Sequence, residues 1–90
     1  MNYKRLLKKI THKDYMGGVF IYDGCSVNVT LGGDSIDVHI QDKNGIRAEF
    51  DFTFEIPRSI VFYDTNTRAT NCISRNLNAL YSTNIPVCHE

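Results

Sequence analysis

The segment that most narrows the possible folds is residues 46–56, IRAEFDFTFEI, where apolar and polar side chains alternate without a break. Ile46, Ala48, Phe50, Phe52, Phe54 and Ile56 form one set, and Arg47, Glu49, Asp51, Thr53 and Glu55 the other. Successive side chains of a β-strand point to opposite faces, so the pattern describes a strand with one buried and one wet face. A helix cannot use it, because a period of two scatters apolar groups around a cylinder that repeats every ~3.6 residues.

Shorter strand-like runs precede this segment: VFIY, SVNVTL and SIDVHI, separated by DG, GGD and DKNG. These separators carry turn chemistry, and it can be checked against the alternation. A type II′ turn at Gly33–Asp34 pairs Leu31 with Ile36 and Val29 with Val38, which keeps apolar positions on one face. For DKNG, a three-residue loop with Gly45 left-handed and a bulge sets Ile40 by Ala48, Val38 by Phe50 and Ile36 by Phe52. At the first hairpin, a type I′ turn at Asp23–Gly24 pairs Phe20 with Val27 and turns Val19 and Ile21 outward. Either that edge exposes apolar surface, or the loop is longer than the dipeptide.

Tyr3, Leu6, Leu7 and Ile10 keep helical spacing, opposite Lys4, Arg5, Lys8 and Lys9, and the Gly17–Gly18 pair ends that element. A second helix begins near residues 65–67 and runs to about Tyr81, with Ala69, Cys72, Ile73, Leu77, Leu80 and Tyr81 as its apolar stripe. Between the last strand and this helix, Ile60, Phe62 and Tyr63 read as buried, in a fifth short strand or a loop; the tail VCHE reads as loose. The expectation is a single α+β domain over residues 1–90. Its sheet is an antiparallel meander of four strands, or five, and both helices pack on the Phe50/Phe52/Phe54 face.

The formal charge is zero, yet unevenly spread. Residues 1–13 hold five cations and no acid, whereas residues 14–64 hold nine acids against Lys43, Arg47 and Arg58. An acidic body with a basic N-terminal helix follows. Cys25, Cys72 and Cys88 have no C-x-x-C spacing, which points to thiols in a reducing cytoplasm rather than a disulfide framework or zinc site. No apolar run approaches a membrane span and no leader pattern opens the chain, so the expected location is cytoplasmic.

The outward rows of the sheet are Asn28, His39, Glu49 and Thr30, Asp37, Asp51, with Asp34 and Glu55 nearby. His39 opposite Glu49 is a favourable pair; Asp37 opposite Asp51 is a repulsive one. A solvated face explains charge but not the accumulation of like charges. A docking surface explains both, because carboxylates about 7 Å apart along a strand and about 5 Å apart across strands can meet arginines that grip phosphates. A metal site at Asp37, His39 and Asp51 would have poor geometry on flat strands, and no cofactor is implied. Catalysis would need a concave site, and the chain lacks G-x-G-x-x-G, G-x-x-x-x-G-K-[ST], H-E-x-x-H and G-x-S-x-G, so no catalytic residue is assigned. The rival reading is RNA or DNA binding through Lys4, Arg5, Lys8 and Lys9, with Arg68, Asn71, Arg75 and Asn78 as a second polar helix face.

The opening MNYKRLLKKITHKDY resembles the first helix of small phage-encoded anti-CRISPR proteins at Met1, Asn2, Leu6, Ile10, Lys13, Asp14 and Tyr15. HKDYMGGVFIYDG is similar to a helix-to-strand junction in the same group at His12, Tyr15, Met16, Tyr22 and Gly24. The resemblance implies a non-catalytic viral or mobile-element protein that binds and blocks a host nucleic-acid-handling complex. Combined with the sheet reading, the expected partner is a host protein or ribonucleoprotein with a basic groove, met by Asp37, His39, Glu49, Asp51 and Glu55. Direct contact with nucleic acid is the alternative, and both monomer and homodimer stay open.

Overall fold

A computed structural model describes residues 1–53 and 59–89. Helix α1 (Tyr3–Ile10) is followed by strands β1 (Gly18–Tyr22), β2 (Cys25–Gly32), β3 (Ser35–Asp42), β4 (Gly45–Thr53) and β5 (Ile60–Tyr63), then helix α2 (Thr67–Tyr81) and strand β6 (Val87–His89). The fold is α+β, with six strands in the order β1-β2-β3-β4-β5-β6 rather than the four or five expected. The first five run antiparallel, and β6 lies parallel to β5.

Each helix starts where its sequence supplies a cap. The Asn2 side chain accepts from the Arg5 N–H, and the Asn66 side chain accepts from the Ala69 N–H at 2.9 Å. Helix α1 buries Leu6, Leu7 and Ile10; α2 buries Ala69, Ile73 and Leu77, while Leu80 remains exposed. The small side chains of Thr70 and Ser74 are buried as well. Both helices join Val27, Val29, Ile36, Val38, Ile40, Phe50, Phe52, Ile60 and Phe62 in one core on a single side of the sheet. At its centre Phe50 packs against Phe52 and Phe62, with ring centroids 6.0 and 5.5 Å apart.

The three hairpin registers follow from their turns. Asp23 and Gly24 both have positive φ (51° and 75°), and Phe20 pairs with Val27. This resolves the first hairpin in favour of the two-residue turn. Val19 and Ile21 face away from the core, 66% and 73% exposed. Gly33 has φ 59°, and Leu31–Ile36 and Val29–Val38 pair. Ile40–Ala48, Val38–Phe50 and Ile36–Phe52 also pair, so the β3–β4 faces match.

The DKNG connection differs in detail. Asp42 pairs with Gly45 around Lys43–Asn44, and the register shift falls between Ile40 and Gln41, where Arg47 is the extra residue. Ile46 is therefore set opposite Gln41 and is 42% exposed, not part of the core set that the unbroken alternation implied. Phe54, Glu55 and Ile56, also placed by that alternation, lie outside the described residues.

Two further readings are corrected. The tail forms β6, because the Asn78 side chain binds both the N–H and the C=O of Ile85 and also the Thr83 hydroxyl, which leads the chain back along β5. Tyr63 is not a core residue: it alternates with buried Ile60 and Phe62 and stands half-buried on the opposite face. Gly17, ahead of β1, has φ +81°, and a Cβ there would sit 3.0 Å from the Val29 carbonyl oxygen, so this junction requires glycine.

Candidate interaction surface

Because both helices occupy one side of the sheet, the other side is, among the described residues, a broad face of strand side chains. The registers arrange it in rows. One row runs Val19, Asn28, His39, Glu49, Tyr63, and its neighbour runs Thr30, Asp37, Asp51, Val61, Cys88. Asp37, His39, Glu49 and Asp51 are thus brought together as their sequence positions required, and each is half-buried among its neighbours rather than fully extended into water. Glu55 lies outside the described residues.

Neighbouring groups position these carboxylates. The Tyr63 hydroxyl donates to Asp51 Oδ2 at 2.8 Å. The Thr65 hydroxyl accepts from the Glu49 N–H at 2.9 Å and contacts the carbonyls of Glu49 and Tyr63, tying the end of β5 to β4. His39 Nδ1 stands 3.9 Å from Glu49 Oε1. Tyr63 was not anticipated here. The signal was available, since a fifth strand with Ile60 and Phe62 inward must turn Tyr63 outward.

Asp37 faces Asp51 directly. Partial burial pushes the Asp37 carboxyl above its ordinary 3.8, the Asp51 charge and a hydrogen bond with its carboxyl push the same way, and His39 opposes them. Folding therefore favours protonated Asp37. Its contribution to stability is complete below the unfolded-state value and is lost as pH rises through the raised folded-state value. Asp37→Asn is expected to stabilise the protein at pH 7 by about 0.5 kcal/mol, the scale of a cross-strand pair. The advantage should shrink as pH falls through the raised folded-state value toward about 4 and be largely gone by about pH 3, where Asp37 is protonated in both the folded and the unfolded chain. Thermal melts of both proteins at pH 7 and pH 3 check this.

Neither row carries a lysine or arginine, so among the described residues of these rows His39 is the one group that can offset the three carboxylates. Sheet twist leaves a shallow hollow of about 220 Å³ beside them, lined by Val19, Ser26, Asn28, Thr30, His39 and Gln41. Among the described residues, no three His, Cys, Asp or Glu side chains converge as metal ligands would.

The basic residues lie elsewhere. Lys4, Arg5, Lys8 and Lys9 are exposed on α1, in the helix layer on the other side of the molecule. Lys9 Nζ rests 4.3 Å from the centre of the Phe20 ring. On α2, Arg68, Asn71 and Arg75 are exposed, but Asn78 is committed to Thr83 and Ile85 and drops out of the polar face it was assigned to. No helix among the described residues is long and apolar enough to cross a membrane. Comparison with known families, curated proteins and solved structures finds no match.

Proposed function

We propose that this chain is a non-catalytic binding protein whose uncovered sheet face occupies a basic groove on a larger protein or ribonucleoprotein. The observation that carries the proposal is the directly opposed Asp37–Asp51 pair, with Glu49 in the next row and no lysine or arginine in either. Opposed like charges reduce stability, so a face that accumulates them implies a compensating partner. Tyr63 and Thr65 hold the acidic strand in place, which lowers the ordering cost when arginines pair with it. The slab measures 34 × 29 × 21 Å, and its broad face has room for a standard interface of about 800 Å² per partner.

The resemblance of the N-terminal region to anti-CRISPR proteins fits this reading. It suggests a cytoplasmic phage or mobile-element inhibitor that blocks a host nucleic-acid-handling defence complex by stoichiometric binding. The alternative is RNA or DNA binding by α1, favoured by the exposed Lys4, Arg5, Lys8 and Lys9 with no acid in that helix. Affinity capture from bacterial lysate treated with nuclease separates them. A protein partner retained after nuclease treatment supports the docking reading. Retention only on a nucleic-acid column, weakening steeply as salt rises, supports the alternative.

A further inference from the structure

Among the described residues, the three most exposed large apolar side chains, Met16 (84%), Ile21 (73%) and Val19 (66%), all belong to β1 or to the turn entering it. Strand β1 is also an edge of the sheet, paired only with β2. In a two-residue hairpin the residues flanking the turn exchange hydrogen bonds, so Tyr22, Phe20 and Gly18 direct their amides to β2. Val19 and Ile21 direct theirs off the edge. Protective features are missing: β1 reads GVFIY, with no lysine, proline or other charge. The opposite edge, β6, has only three residues and follows Pro86.

We propose that β1 pairs antiparallel with β1 of a second copy of this chain, joining two six-stranded sheets into one. The edge suits its own copy. About a two-fold axis through Phe20, Val19 of each chain meets Ile21 of the other, so both apolar side chains are covered twice by the same contact. The backbone groups of Val19 and Ile21 then make four hydrogen bonds across the axis. Charge is compatible, since no like charges meet within the strands. The Asp23 turn of each chain also approaches the other chain's turn after α1, where exposed Lys13 and Asp14 sit side by side and leave no net charge to oppose it. The two Lys9 side chains approach on the helix side, a cost that their exposure to salt and water keeps small. A five-residue strand spans only about 17 Å, so the interface is small and the dimer is expected to be weak, dissociating on dilution.

This proposal does not use the carboxylates; Val19, at the far end of their row, is the residue the two surfaces share. Light scattering on the full chain from 10 μM to 1 mM should show the mass rising from 10.3 kDa to twice that value. Amide exchange at Val19 and Ile21 should slow over the same range. Ile21→Lys and, separately, Val19→Lys should keep the native circular dichroism spectrum and raise the dissociation constant at least 100-fold. A single-chain mass at 1 mM, or a dimer unaffected by both variants, overturns the proposal. So does a monomer whose Val19 and Ile21 amides become protected only by a synthetic Thr–Val repeat peptide, which would make the edge an acceptor for extended peptides.

Discussion

Replacing Glu49 and Asp51 together by lysine is expected to weaken partner capture at least 100-fold while leaving the protein folded. Truncating one member of a buried, hydrogen-bonded charge pair typically costs 2–5 kcal/mol, and reversal adds repulsion against the arginines of a basic groove. Two such losses exceed the roughly 2.7 kcal/mol that corresponds to 100-fold. The fold tolerates the change because both side chains lie on the outer face, outside the core. Lysine at position 51 would sit opposite Asp37 and replace a repulsive pair with an attractive one, although the Tyr63 hydroxyl loses its acceptor. Calorimetric titration against the captured partner, with a thermal melt of each variant, measures both effects. Undiminished binding contradicts the docking reading, and a gain in nucleic-acid retention alone would favour α1 as the binding element.

Phe50→Ala is expected to cost 3–5 kcal/mol, the range for removing a buried aromatic side chain. Phe50 is 1% exposed and packs on both Phe52 and Phe62, so the cavity opens at the middle of the core, where rigid rings on two strands cannot close over it. In a domain of this size each kcal/mol moves the melting midpoint by roughly 4–8 °C, so a fall of at least about 12 °C follows. Val61→Ala is the matched control, half-buried on the outer face of β5 one strand away, and should shift the midpoint by under about 5 °C. Similar losses at the two sites would contradict the assignment of faces.

The features legible in the sequence were those specified twice. Gly33–Asp34 sets turn geometry, the alternation of Val27, Val29, Ile36 and Val38 sets the faces, and the two agree; at Asp23–Gly24 they conflict over Val19 and Ile21, and there the turn decides. The same redundancy placed Asp37 against Asp51 and His39 against Glu49 before any coordinates. Ile46 was misplaced because periodicity is blind to a bulge; one extra residue at Arg47 reverses everything between it and the turn. Strand β6 escaped because VCH is too short to show a period and its pairing depends on α2 carrying the chain across, with Asn78 holding Ile85. Grouping Tyr63 with Ile60 and Phe62 as buried leaves out its register in β5, and with it the hydroxyl that orients Asp51. The partner was less legible still. Charge on a face constrains the sign of what it meets but not its kind.

Carboxyl footprinting by carbodiimide labelling and mass spectrometry, on the protein alone and with its captured partner, tests the central claim most directly. Asp37, Glu49 and Asp51 should label in the isolated protein and become protected together in the complex, while Asp14, exposed in the turn after α1, labels in both. Failure of the three to label in the isolated protein, or equal labelling with and without partner, would contradict it.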